Sequence, residues 1–138
     1  MSTKSTVQDC RMIDIRRYSD NRGYLSVVEG ELDIPFEIKR IYYLYMVPEV
    51  ARGAHAHKAL QQLLIATSGS VDVIMDDGAN KKTFHLDKPW KGLLIPPGLW
   101  RDLENFSGGA VLLCLASEKY DATDYIRDYQ EFLAFKKS

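Results

Sequence analysis

Short apolar runs broken by turn formers about every ten residues are the feature that most constrains what this chain can fold into. The runs fall at 10–17, 24–29, 36–47, 59–67, 70–76, 81–86, 92–96 and 109–116. They are strand-sized, and SDNRG (19–23), SGS, DDGAN, KPWKG, PPG and NFSGG stand between them. Asp77-Gly78 and the glycine pair supply hairpin punctuation, and Gly23 can take a positive φ. An all-β architecture, an antiparallel sandwich or barrel, is the expectation. Within 36–47 the alternate residues Phe36, Ile38, Arg40, Tyr42, Leu44 and Met46 are predicted to share one strand face. The period changes only in the tail. Tyr125, Ile126, Tyr129, Phe132 and Leu133 form a helical stripe. Asp121 is the expected N-cap, with Asp124 three residues later and Lys136 and Lys137 at the C-terminal end of the dipole.

With 138 residues, and no linker, repeat or low-complexity segment, residues 1–138 are read as a single domain able to bury its own core. Eighteen basic and 19 acidic side chains leave a net charge of −1. That balance argues against a nucleic-acid binder, whose phosphate affinity needs a basic excess, while leaving room for a local basic pocket. Cys10 and Cys114 belong to no CxxC pair, so reduced thiols in a cytoplasmic protein are expected. The start, MSTKSTVQDCRMIDIRR, has no continuous apolar h-region, and no run approaches the roughly 18 residues of a membrane span. Neither secretion nor a membrane association is predicted.

Two of the three histidines sit together as His55-Ala56-His57. In an extended segment residues i and i+2 project to one face, so two imidazoles stand side by side. The surrounding spacing resembles the cupin superfamily, whose motifs have the form G(x)5HxH(x)3,4E(x)6G and G(x)5PxG(x)2H(x)3N. His55 and His57 fill HxH, Gly69 closes the first motif, and Pro96, Gly98 and Asn105 fill PxG and N. Two departures are informative: Gln62 stands where the glutamate is expected and Arg101 where the third histidine is expected. A divalent cation needs imidazole lone pairs and carboxylate charge. A guanidinium has no lone pair to offer and an amide carries no charge, so no metal and no other cofactor is expected. A histidine pair without an ion to hold is suited to moving protons near neutral pH. The resemblance implies a cupin jelly-roll barrel, here with a short C-terminal helix.

A closer resemblance rests on three strings. They are IPFEIKRIYY (34–43), RGAHAHK (52–58) and LASEKYDATDYIRDY (115–129). These resemble the nucleotide-sugar 3,4-ketoisomerases over nearly the whole chain, from about residue 10 to 135. That family implies a homodimer and a dTDP-linked keto sugar as substrate. The reaction would remove the proton on carbon 3, pass through an enediol and reprotonate carbon 4, without metal or redox cofactor. By position His55 matches the general base and Tyr42 the tyrosine beside it, whose hydroxyl shuttles a proton or stabilises the enediolate oxygen. His57 is expected to bind or orient. Arg40 and Arg52 are the candidates for the pyrophosphate, since guanidinium matches phosphate oxygens in bidentate geometry. Lys58 reads as surface. Arg101 and Arg22 fall where relatives vary, and are expected to line the sugar end and bear on carbon 4 configuration. Ala54 replaces the aromatic residue usual before HAHK. The implied product is a dTDP-3-keto-6-deoxyhexose, a precursor of 3-amino-3,6-dideoxyhexoses in bacterial surface polysaccharide.

Other classes remain open on the residues alone. A 3,5-epimerase would exchange solvent deuterium into carbon 5, and a non-catalytic nucleotide-sugar-binding cupin would bind without exchange. A metal-dependent dioxygenase would lose activity with a chelator. Trp90, Trp100 and His85 are expected to be structural or inert, and the 125–135 stripe to serve the core or a dimer contact.

Overall fold

Strand period dictates most of the architecture, and the computed structural model describes residues 2–48 and 52–138. Twelve strands and one helix are present among them. The strands are β1 (Arg11–Asp14), β2 (Arg16–Asp20), β3 (Gly23–Val27), β4 (Arg40–Tyr45), β5 (Arg52–His57) and β6 (Gln62–Ser68). Then come β7 (Val71–Asp76), β8 (Lys81–Leu86), β9 (Lys91–Ile95), β10 (Trp100–Glu104), β11 (Val111–Ala116) and β12 (Tyr125–Ile126), and finally the helix α1 (Tyr129–Lys137). Two five-stranded sheets, ordered β1-β9-β6-β11-β4 and β12-β5-β10-β7-β8, face each other, and β2 and β3 form a separate ribbon. The named strand pairs are antiparallel. This is the all-β cupin jelly roll expected from the sequence.

The core between the sheets is filled by Leu64, Ala66, Leu93, Ile95 and Leu112 from one sheet and Val71, Val73, Met75, Phe84 and Leu103 from the other. The first sheet is covered on its outer face as well. There Leu63, Ile65, Leu94 and Leu115 pack under Ile15, Ile34 and Phe36. Burial on both faces explains why β6 and β11 read as continuous apolar runs rather than alternating ones. On the second sheet's outer face, Phe132 of α1 packs with Ala56, Trp100 and Ile126, which accounts for Trp100 as a core residue.

Three local expectations need correction. The helix does not start near Asp121. Asp121 caps a 3-10 turn over Ala122–Asp124, Tyr125 and Ile126 pair with His57 and Ala56 on the edge of β5, and Asp128 caps α1 through Glu131 N–H at 3.0 Å. The free strand edge of β5 offers hydrogen bonds that helical spacing alone does not reveal. Phe36 and Ile38 also do not share a face with Tyr42 and Leu44, because they precede β4 and pack in the outer layer. Met46 lies beyond the strand, at φ 54 and 87% exposed.

Candidate active site

The HxH pair is placed by a break in strand regularity. Gly53 adopts φ +93, and a Cβ there would lie 3.1 Å from the backbone nitrogen of Leu103. The pairing register of β5 with β10 shifts beside it, between Arg101 and Leu103. Only glycine accepts that backbone and that close approach together. Beyond the irregularity, Arg101 stands directly across from His55, and Tyr125 across from His57.

His55 and His57 project from one face, as period-2 geometry requires, and their Nε2 atoms are 3.1 Å apart. The Nδ1 atom of His55 meets the Gly53 carbonyl, and Nδ1 of His57 lies 3.0 Å from Asp124 Oδ2. The other Asp124 oxygen accepts from Ala59 N–H at 2.7 Å. The ring of Tyr125 packs against both imidazoles, with centroids 5.2 and 4.4 Å away. His57 is fully buried, whereas His55 opens onto a cavity.

Arg101 is 2% exposed, and no ion pair among the described residues involves it. Its guanidinium donates to Gln62 Oε1 and, at 3.2 Å, to the Leu99 carbonyl, while its Nε has no partner. Gln62 in turn donates to the Tyr42 hydroxyl oxygen at 2.5 Å, and the hydroxyl also lies against the Cys114 thiol. An amide is needed at this point. Its oxygen accepts from the guanidinium and its nitrogen donates to the phenol, and an ionised glutamate has no donor for the second bond.

Burial first, and the Arg101 and Arg127 guanidiniums second, push His55 down to about 3. Burial, Arg101 and the neighbouring imidazole push His57 down to about 2. Both rings are therefore neutral at ordinary pH, and a neutral imidazole is the form that accepts a proton. Burial also raises the Tyr42 phenol, which stays protonated.

The cavity has a volume of about 310 Å³. It is lined by His55, Tyr42, Gln62, Arg101 and Arg52 among the site residues named from sequence, by Tyr125, which was expected to serve the core or a dimer contact, and by Arg127, which was not singled out. Arg40 is not in its wall. It stands behind, with its guanidinium 5.0 Å from the Tyr42 ring centroid and Nη2 3.5 Å from the Tyr125 hydroxyl. Arg22 does not line this cavity. It sits on the β2–β3 ribbon with its side chain 85% exposed and is paired with Asp20 at 2.5 Å, because a two-residue Asp-to-Arg contact closes the ribbon turn locally. Asp124 was likewise overlooked as a site residue, its only signal being the acidic residue before Tyr125. His85 is remote, on β8, facing Asp72 at 2.6 Å.

The cupin fold raises the question of a metal. The donor set does not suit one: the third position is an arginine rather than an imidazole, the glutamate is an amide, and Nδ1 of His57 is taken by Asp124. A cation beside the unpaired Arg101 guanidinium would meet like charge rather than ligand charge.

The FdtA family model, described as WxcM-like, C-terminal, matches residues 8–137. The chain belongs to that family. A TDP-4-oxo-6-deoxy-alpha-D-glucose-3,4-oxoisomerase of Aneurinibacillus thermoaerophilus is 43% identical to this FdtA-family chain over 123 residues, 88% of each protein. Among solved structures, the TDP-quinovose 3,4-ketoisomerase WlaRB from Campylobacter jejuni is 48% identical with a TM-score of 0.89, over 93% of this chain and 99% of that one. The sugar 3,4-ketoisomerase QdtA from Thermoanaerobacterium thermosaccharolyticum, in complex with TDP, is 41% identical with a TM-score of 0.93, over 96% and 97%.

The depressed histidines set the acid response of this FdtA-family domain. Their folded pKa values lie below the ordinary 6.5, so between roughly pH 6.5 and 3 the unfolded chain binds protons that the folded chain does not. Stability is complete above about pH 6.5 and falls as the pH drops below it. Urea unfolding at pH 7.5 and pH 5 should show a lower midpoint at pH 5, and a His55→Asn/His57→Asn variant a smaller difference. Equal midpoints in the wild type would refute the assignment.

Proposed function

We infer that the protein is a TDP-sugar 3,4-ketoisomerase that converts TDP-4-keto-6-deoxyglucose to a 3-keto-6-deoxyhexose. The observation carrying this is a neutral His55 opening onto a cavity beside a buried guanidinium without a carboxylate partner. The 43% identity to an oxoisomerase supports the same reading. His55 removes the carbon 3 proton as general base. The electron pair moves into the bond between carbons 3 and 4, and negative charge develops on the carbon 4 oxygen. Arg101, already desolvated, stabilises that charge without further reorganisation. Tyr42, which lines the cavity, carries the oxygen-bound proton from the carbon 3 oxygen to the carbon 4 oxygen. His55 then returns its proton to carbon 4. Carbon 3 ends as the ketone and carbon 4 as the alcohol, with no net change in electrons.

A cavity of about 310 Å³ accommodates a sugar and leaves the nucleotide to extend through its mouth, where Arg52 and Arg127 offer guanidinium donors to the pyrophosphate. Arg40 acts through the Tyr42 and Tyr125 rings it contacts. The product would feed surface-polysaccharide amino sugars, whether lipopolysaccharide O-antigen or S-layer glycan, from the cytoplasm. Among the described residues no helix is long and apolar enough to cross a membrane.

The wild type, treated with EDTA, should convert the substrate in deuterated buffer, followed by proton NMR, with any deuterium uptake confined to carbons 3 and 4. His55→Asn should lower kcat by about 10²–10⁴. Exchange at carbon 5 would instead indicate an epimerase, and binding without conversion or exchange a non-catalytic protein.

The protein is further proposed to act as a homodimer. The outward row Ile41, Tyr43 and Tyr45 on the edge strand β4 is 57%, 58% and 59% exposed. The β2–β3 ribbon, with Tyr18, Tyr24 and Leu25 exposed, pairs with no other strand among the described residues. A second copy would cover both, and open apolar strand edges seldom stay solvated. Arg22 on that ribbon would reach a sugar site only in such an assembly. Sedimentation should give a dimer for the wild type and a monomer for Tyr43→Glu; a monomeric wild type at micromolar concentration would exclude it.

A further inference from the structure

The row of atoms from Gly53 through both imidazoles to Asp124 contains three hydrogen-bond positions. They lie between the Gly53 carbonyl and His55 Nδ1, between the two Nε2 atoms at 3.1 Å, and between His57 Nδ1 and Asp124 Oδ2 at 3.0 Å. Both ends are acceptors only, a carbonyl and a carboxylate. Each outer nitrogen must therefore be the N–H, and a neutral imidazole has only one proton to give. The two inner nitrogens consequently face each other as lone pairs. A third proton in the row, held between them, would complete every bond.

We propose that Asp124 is a positioning residue of the proton transfer. By accepting from Nδ1, it fixes His57 as the tautomer whose Nε2 lone pair faces His55. The proton taken from carbon 3 is then held as one N–H···N hydrogen bond between the two rings until carbon 4 receives it. This rests on the ketoisomerase reading. In the first half the carbon 3–hydrogen bond breaks, its electrons enter the enediolate, and the proton goes to His55 Nε2. In the second half the carbon 4–hydrogen bond forms, and the pair is neutral again. Asp124 keeps its bond to His57 Nδ1 throughout.

The surroundings are consistent with a single stored proton. Arg101 and Arg127 act on both rings and Arg40 on His57, all disfavouring a resting positive charge. Among the described residues, Asp124 is the one carboxylate paired with either ring. The extra proton is thus stable only while the enediolate's negative charge occupies the cavity, which returns it to the sugar rather than to solvent.

Asp124→Asn separates positioning from folding. The asparagine oxygen can still accept from Ala59 N–H, as Asp124 does at 2.7 Å, which turns its amide N–H toward His57 Nδ1. That reverses the tautomer and aims an N–H of His57 at the base, occupying the lone pair His55 needs. In nitrogen-15 NMR of the histidines, the wild type should show His57 protonated at Nδ1, and Asp124→Asn should show it protonated at Nε2. The variant's kcat should fall about a hundredfold or more, as wrong-tautomer histidines do, with KM within about twofold. A wild-type His57 protonated at Nε2, a variant that keeps the Nδ1 tautomer, or an unchanged kcat would each overturn the proposal. The wild-type spectrum decides even if the variant misfolds. Absence of wild-type turnover would sink the ketoisomerase reading, whereas the tautomer spectrum needs no substrate and judges Asp124 separately.

Discussion

A buried guanidinium without a counter-anion is the interaction on which the site depends. Arg101 is 2% exposed, with an amide oxygen and a backbone carbonyl as its only acceptors among the described residues. Leaving a charge this dry is costly unless dipoles or a ligand offset it. Here the cost has chemical consequences. Burial, reinforced by the unpaired cation, keeps two adjacent imidazoles neutral, and the cation is left facing a cavity without an anion. A carboxylate at position 62 would neutralise Arg101 and leave burial alone to hold the imidazoles neutral, so the glutamine matters as the arginine does.

The fold supplies that arrangement through register. Cross-strand pairing sets Arg101 against His55 and Tyr125 against His57, so the two imidazoles, the tyrosine and the cation are positioned by backbone hydrogen bonds. The shift at Gly53 and Leu103 aims His55 into the cavity. Outside, Phe132 of α1 and Trp100 clamp the same strands from the back. The short strand β12 extends this clamp, and the turn before it delivers Asp124. Sites on strands hold geometry more tightly than sites on loops.

Much of this was legible in the residues. Runs of strand length with turn punctuation led to an all-β jelly roll, and the HxH spacing placed two imidazoles on one face. The replacement of a histidine by Arg101 and of a glutamate by Gln62 pointed away from a metal. What escaped was information that lives in long-range pairing. Nothing local in Tyr125-Ile126 distinguishes a helix stripe from a strand that completes the edge of β5. For the same reason Asp124, 67 residues from His57 in sequence, could not be recognised as its partner. Arg40 shares a strand face with Tyr42, yet it lies behind the cavity wall, since alternation fixes the face of a residue and not its depth. The position of Arg22 on an isolated ribbon was equally beyond a reading of spacing.

The measurement that bears most directly on the central claim is the titration of His55, followed by NMR of its ring carbon as the pH is lowered in the wild type and in Arg101→Met. His55 should remain neutral from pH 8 to about pH 4.5 in the wild type, with protonation centred near 3, and should titrate at higher pH once the guanidinium is gone. A wild-type midpoint near 6.5, unchanged by removal of Arg101, would contradict the account.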